Sequence, residues 1–213
     1  MNLKTFWEAH VFKRLLNTLF YHSGLYKLFK VKAIEGLHLG CGSCKIEGFI
    51  NIDASLESKC DVLGSVQKLN FPDNSVKIIY NSHVFEHIPK RRVRKVLSRW
   101  YRALKPDGKI YICVPDLENL CKLYLENIKK EKLTQEEWEK ICTITNVIYG
   151  GQNNKYDFHY DGYSFTTIKY WLEETGFKNI KKIDEKPDFI NFNDSSGYLM
   201  DGLSLSLNIE ATK

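Results

Sequence analysis

The chain has 213 residues, of which 43% are hydrophobic, 13% aromatic and 27% charged. That balance belongs to a globular chain with one sizeable core, and it excludes a disordered, collagen-like or disulfide-scaffold protein. Lys and Arg number 31 against 26 Asp and Glu, a net charge of +5 that is too mild to point to nucleic acid, and six scattered cysteines suit a reducing compartment.

At the N-terminus Phe12, Leu15, Leu16, Leu19 and Phe20 recur at helical spacing, interrupted by Lys13, Arg14 and Asn17. No window approaches the roughly 20 apolar residues of a membrane span. No continuous apolar run precedes a small-residue cleavage site either, so a secretory peptide is not expected. Residues 1–32 read as an amphipathic helical segment, a lid packed on the rest or a docking element. Lys4, Lys13, Arg14, Lys27, Lys30 and Lys32 surround it, which keeps a membrane-surface helix open as the second reading. The expected location is cytoplasmic, with peripheral contact at the inner membrane as the variant of that expectation.

Residues 33–213 read as one domain. Leu37-His38-Leu39 is a strand stopped by Gly40-Cys41-Gly42, and Phe49 to Asp53 is a second strand ending on a carboxylate. Cys60–Leu63, Val76–Tyr80 and Ile110–Val114 follow as strands. Between the last two, Val93, Val96, Leu97, Trp100 and Leu104 mark a helix that Pro106-Asp107-Gly108 should terminate. An insertion of helices and loops is expected around 117–165. It holds a stripe from Leu117 to Ile128 and a capping box at Thr134 and Glu137, then the loop Gly150 to Asn154. A helix through Ile168, Trp171 and Leu172, capped by Gly176, leads to strands near 180–183 and 203–209. Strands alternating with helices predict an α/β, doubly wound, mostly parallel sheet covered on both faces. Ligands bind such sheets beyond the carboxyl ends of the strands, where strand order switches.

The unusual residues fall in those loops. Gly40 and Gly42 let backbone approach a ligand, and Asp53 at the next strand end can accept from ribose hydroxyls. A dinucleotide fingerprint would need a third glycine where Lys45 stands, and an acidic residue about 20 positions on. Asp53 comes only 13 after Gly40, so a ligand with ribose and base but no pyrophosphate fits better. The plainer alternative is a tight turn with a surface aspartate.

Taken in order, Leu37 to Gly42, Asp53, Leu69-Asn70-Phe71-Pro72-Asp73-Asn74-Ser75 and Leu104-Lys105-Pro106-Asp107-Gly108 form a series. This series resembles the class I S-adenosylmethionine-dependent methyltransferases, most of all the small bacterial "type 11" group often encoded beside polysaccharide-assembly genes. The resemblance covers about residues 36–116. It implies a Rossmann-like sheet of about seven strands, the last antiparallel, with S-adenosyl-L-methionine as cofactor. Leu39, Gly40, Cys41 and Gly42 would border the methionine part, Asp53 the ribose, Ser65 and Val66 the adenine, and Asn81 the methyl-transfer end. Three departures stand out: Cys44 to Gly48 is too short for the usual helix, Ser65 stands where relatives carry Asp, and Lys77 replaces a common Asp.

For the acceptor side the candidates are His159, His83, Glu86 and His87, with His159 ranked ahead of His83. Relatives carry a similar His-x-x-Glu-His segment beside the reacting methyl, and histidine is the base suited to neutral pH. The plain alternative has Glu86 and His87 satisfying backbone at a helix start, and His159 capping a helix. His83 and His87 supply at most two metal ligands with Glu86 between them, so no metal is expected. Cys41-x-x-Cys44 has no second pair to complete a structural zinc site. The expected reaction is methylation of a small or glycan-linked acceptor, with O-methylation in surface-polysaccharide synthesis preferred. A non-catalytic nucleoside-binding module and, behind it, a nicotinamide-dependent oxidoreductase remain the alternatives. Oligomeric state is not legible.

Overall fold

The computed structural model describes residues 35–213 except 69, 70, 130 and 193, together with positions 12, 15, 16, 18 and 19. Its strands are β1 (Gly36–Leu39), β2 (Phe49–Asp53), β3 (Val62–Leu63), β4 (Val76–Ser82), β5 (Leu104–Pro115), β6 (Lys178–Lys182), β7 (Leu199–Met200), β8 (Leu203–Ser204) and β9 (Ser206–Thr212). The helices are α1 (Lys90–Ala103), α2 (Leu117–Asn127), α3 (Gln135–Tyr149) and α4 (Phe165–Thr175). Seven strands form one sheet in the order β3-β2-β1-β4-β5-β9-β6. Only β9 runs against its neighbours; the pairs from β3 to β5 are parallel. Strand order reverses between β1 and β4, which opens a crevice beyond their carboxyl ends.

Period-two patterning assigns the two faces. Leu37, Ile50, Ile79 and Ile110 lie side by side across β2, β1, β4 and β5. They pack with Val93, Val96, Leu97 and Trp100 of α1 and with Ile168 and Leu172 of α4. The opposite face carries Phe49, Tyr80 and Tyr111, and among the described residues Ile46, Phe189, Ile190 and Phe192 cover it. The sheet is covered on both faces as expected, and on this half the described cover is irregular chain, in line with the short Cys44–Gly48 stretch. Only residues 40–48 join β1 to β2, and a parallel crossover carrying a helix needs about a dozen or more.

Helix ends follow their local chemistry. Thr134 and Glu137 form the expected reciprocal capping box, and Gly176 takes the left-handed C-cap at φ 106°. Asp116 accepts from the amides of Glu118 and Asn119 and opens α2. α2 and α3 then pack through Leu120, Leu123 and Ile144 against Leu205. Pro106-Asp107-Gly108 does not end the preceding helix as expected. α1 stops at Ala103, β5 starts at Leu104, and the triplet lies within the strand, beside a register shift opposite Val76 and Ile78. Pairing of Leu104 with Val76 begins the strand before the turn residues are reached.

The segment 1–32 lies outside the described residues except at the positions given. Phe12, Leu15, Leu16 and Leu19 are helical and exposed. The Thr18 hydroxyl donates to the Leu63 carbonyl and accepts from the Leu63 amide, both at 3.0 Å, on the free edge of β3. All six cysteines are free.

Candidate functional site

The glycine loop is built by backbone constraints. Gly40 has φ 71°, and a Cβ there would lie 2.1 Å from Val84 Cγ2, so the loops after β1 and β4 touch because Gly40 lacks a side chain. Gly42, at φ 52°, has open space where a Cβ would go. Its amide donates to Asp53 Oδ2 at 2.8 Å, and the Ser55 amide donates to Oδ1 at 2.7 Å. Asp53 thus ties the turns after β1 and β2 together, and each oxygen keeps a lone pair for a ligand. Burial pushes the Cys41 thiol pKa well up, with the Asp53 charge adding to it. Cys41 therefore stays protonated and is unsuited to redox or zinc chemistry.

Ser65, Val66 and Gln67 form a turn fixed from α1. Trp100 Nε1 donates to the Val66 carbonyl at 3.3 Å, the Arg99 guanidinium donates to the Gln67 carbonyl, and Arg92 donates to Gln67 Oε1 at 2.9 Å. A cavity of about 510 Å³ lies between this turn and the loop after β4, with Asp53 in its wall. Its other end is closed by His83, His87, Lys155, Tyr156, Phe158 and Tyr160. That volume is in the range of a small-molecule site.

Of the expected cofactor residues, Gly40, Asp53, Ser65 and Val66 line this cavity. Leu39 and Asn81 are fully buried behind it, and Cys41 and Gly42 belong to the loop beside it. Asn81 donates to the Tyr111 carbonyl at 3.3 Å, and its Oδ1 is buried without a partner. Ala54, Ser55, Gln67 and Val84 also line the cavity, although no motif singles them out. Their neighbours in sequence are the only signal they carry.

The acceptor-side candidates do converge. Glu86 sits in a short 3₁₀ turn (Phe85–His87) directly after β4, and its side chain is 1% exposed. His83 takes a left-handed φ of 52°, which brings its Nδ1 to 3.2 Å from Glu86 Oε1 and its Nε2 to 3.0 Å from Ser206 Oγ. His159 arrives from the 150–160 loop, with Nε2 at 3.9 Å from the same Oε1. Two backbone bonds seat that loop: the Tyr160 amide donates to the Glu86 carbonyl at 2.8 Å, and the His159 amide donates to the Tyr149 carbonyl at 3.0 Å. Gly150, at φ 82°, makes the turn possible, since a Cβ there would lie 2.0 Å from the Asp157 carbonyl oxygen.

Charge assigns the histidines different roles. Burial opposes a charge on His83, but Cys113 and then the Glu86 carboxylate more than offset this and raise its pKa to about 10. Burial likewise opposes ionisation of Glu86, and the imidazoles, His83 first, hold its carboxyl below the ordinary range. They form an ion pair at neutral pH. His83 is therefore a cation with no free lone pair, which removes it as a base. Burial lowers the His159 pKa and keeps it neutral, but its side chain is only 10% exposed and its ring faces Glu86 rather than the cavity. His87 lines the cavity and donates from Nδ1 to the Phe158 carbonyl at 2.9 Å, so in the neutral ring Nε2 is the nitrogen with a lone pair. Of the three histidines, His83 and His87 line the cavity and His159 lies behind them against Glu86.

The model of the methyltransferase domain family matches residues 37–112. A phosphoethanolamine N-methyltransferase of Plasmodium falciparum is 30% identical over 82 residues, 36% of this chain and 31% of that one. The chain thus matches about a third of the length of this curated relative. A SAM-dependent methyltransferase structure from Archaeoglobus fulgidus superposes with a TM-score of 0.51 at 20% identity, over 94% of each chain. One from Mesorhizobium loti gives 0.51 at 14% identity, over 90% of this chain and 96% of the other. At these identities the structures share the fold.

Proposed function

We infer that this chain, whose residues 37–112 match the methyltransferase-domain model, belongs to the class I S-adenosylmethionine-dependent methyltransferases and transfers a methyl group to a small acceptor. The observation that carries this is the placement of Asp53, the Gly40–Gly42 loop and the Ser65–Gln67 turn at one end of a cavity whose other end holds His87 and three aromatic rings. Asp53 accepts from the ribose, the turn at Ser65 to Gln67 receives the adenine, and the glycine loop borders the methionine part. The sulfonium then lies toward Val84 and His87.

The sulfonium is an activated electrophile, so the chain's work is orientation and exclusion of water. The S–CH₃ bond breaks as the bond to the acceptor forms, which leaves S-adenosylhomocysteine. The acceptor's proton passes to His87 Nε2 or to water. Lys155 in the cavity wall suits an anionic group on the acceptor, and Tyr156, Phe158 and Tyr160 offer faces for a flat or ring-shaped body. A sugar or glycan-linked hydroxyl in surface-polysaccharide synthesis matches the sequence resemblance. A phosphorylated amine matches the name of the Plasmodium relative. Either acceptor must lose a proton, which His87 can take, and the hydroxyl is preferred on the sequence resemblance.

No described helix is long and apolar enough to cross a membrane. We place the protein in the cytoplasm, and exposed Phe12, Leu15, Leu16 and Leu19 beside Lys13 and Arg14 support peripheral contact with an anionic surface. Vesicle co-sedimentation tests this, and equal binding after removal of residues 1–32 excludes it. The deciding experiment for the cofactor is a calorimetric titration with S-adenosylhomocysteine and, separately, NAD. Binding of the first alone is expected; binding of NAD alone overturns the reading.

A further inference from the structure

Three polar side chains from two distant stretches meet at the acceptor end of the cavity. A carboxylate oxygen of Glu86 and one ring nitrogen each of His87 and His159 lie within 4.8 Å of one another. Carbonyls only accept hydrogen bonds, so the Nδ1 contacts to Phe158 O (2.9 Å) and Ile148 O (3.3 Å) require both rings to carry their proton on Nδ1. In the neutral ring each Nε2 is then the nitrogen with a lone pair. His159 Nε2 and Glu86 Oε1 lie 3.9 Å apart, too far for a hydrogen bond and close enough to share a ligand between them. Both Glu86 oxygens are buried with no hydrogen-bond donor aligned on them, although His83 lies close on the far side. The His83 cation at 3.2 Å offsets part of the cost of burying this carboxylate, and the space between Glu86, His87 and His159 can take a second positive charge.

We propose that Glu86, His87 and His159 bind a divalent first-row transition cation at the acceptor end of the cavity. Two neutral imidazoles and one carboxylate suit Mn²⁺, Fe²⁺, Co²⁺ or Zn²⁺ better than Mg²⁺ or Ca²⁺, which take mainly oxygen. With metal–ligand bonds of about 2.1 Å, ligand atoms sit roughly 3–3.5 Å apart. From separations of up to 4.8 Å the ligand atoms need to close by at most roughly 1.3–1.8 Å, within the reach of rotamer adjustments. The outer contacts that such a site needs are in place: a backbone carbonyl holds each imidazole, and His83, itself held at Ser206, backs the carboxylate. Three protein ligands leave coordination positions open. His87 lines the cavity, so an acceptor hydroxyl there can complete the shell and lose its proton more readily, to water, since a metal-bound His87 no longer serves as the base. This last step rests on the methyltransferase reading; the site itself does not.

The test uses the full chain, stripped with a chelator and titrated with Co²⁺ while visible and near-ultraviolet absorption are followed. One Co²⁺ per chain is expected, with visible bands and no thiolate band. His87→Gln and His159→Gln should each weaken binding at least about tenfold, with circular dichroism unchanged. No Co²⁺ binding, equal affinity in wild type and both variants, or a thiolate band from Cys41 and Cys44 overturns the proposal. S-adenosylhomocysteine is titrated into the same samples. Cofactor binding without Co²⁺ binding defeats the metal site alone, whereas Co²⁺ binding lost in both variants, without cofactor binding, upholds the site and defeats the methyltransferase reading.

Discussion

Both oxygens of Asp53 already accept backbone amides, from Gly42 and Ser55, so this one residue shapes the pocket and offers charge to a ligand. Asp53→Ala should weaken S-adenosylhomocysteine binding by about 1.5–3 kcal/mol, the range for hydrogen bonds to a charged group. Calorimetry checks this, and an unchanged affinity removes Asp53 from the site. Gly40 carries a different constraint. Its left-handed φ and the 2.1 Å approach to Val84 mean that Gly40→Ala meets both backbone strain and a clash. A loss of roughly 1–3 kcal/mol in stability is expected from the strain alone. Adding Val84→Ala should recover the clash portion and not the strain, a coupling that a double-mutant cycle in urea measures.

At the scale of elements, the 150–160 loop is joined to the 3₁₀ turn after β4 by main-chain bonds, and Gly150 is its hinge. Gly150→Ala should displace the loop, lowering methyl transfer while leaving S-adenosylhomocysteine affinity within about twofold, because Asp53 and the Ser65 turn lie elsewhere. A matching loss of cofactor affinity would show that the loop belongs to the cofactor site as well. The face of β1, β2 and β4 away from the helices has its own chemistry. His38 Nδ1 sits 3.0 Å from Asn51 Oδ1, and Asn51 donates to Asp61 Oδ2 at 2.8 Å. Burial, outweighing the contact with Asn51, lowers the His38 pKa. The unfolded chain then binds the proton more readily than the folded one. This contribution to stability is complete above about pH 6.5 and is lost as pH falls below it through the folded pKa. The melting temperature should decline below about pH 6.5, and His38→Asn should flatten that limb. A decline of the same size in the variant would assign it to other groups.

For the molecule as a whole, the crevice between β1 and β4 binds ligand only in the folded chain. S-adenosylhomocysteine at 100 times its Kd should add about 2.7 kcal/mol to stability, read as a rise in melting temperature. Thr18 meets both backbone groups of Leu63 at the edge of β3, so the N-terminal stretch contributes to closing one end of the sheet. That edge would otherwise expose unpaired amides and carbonyls.

Local chemistry made much of this legible. The capping box at Thr134 and Glu137, the left-handed Gly176 and the strands before Gly40 and at Asp53 all depend on near neighbours, and the sequence by itself determined them. Strand alternation also placed Gly40, Asp53 and Ser65 at one edge of a parallel sheet, because successive crossovers return every strand in the same direction. Other features were decided by tertiary structure. The Pro106 triplet entered a strand because Leu104 found a partner in Val76. The face under Tyr80 took irregular cover because β1 and β2 are joined too closely for a helix. The meeting of Glu86 and His87 with His159 depended on a loop 70 residues away, seated by amides and carbonyls that every residue carries. Main-chain bonds of that kind leave no mark on side-chain identity. The cluster they assemble is therefore invisible in spacing and appears only when the chain is folded.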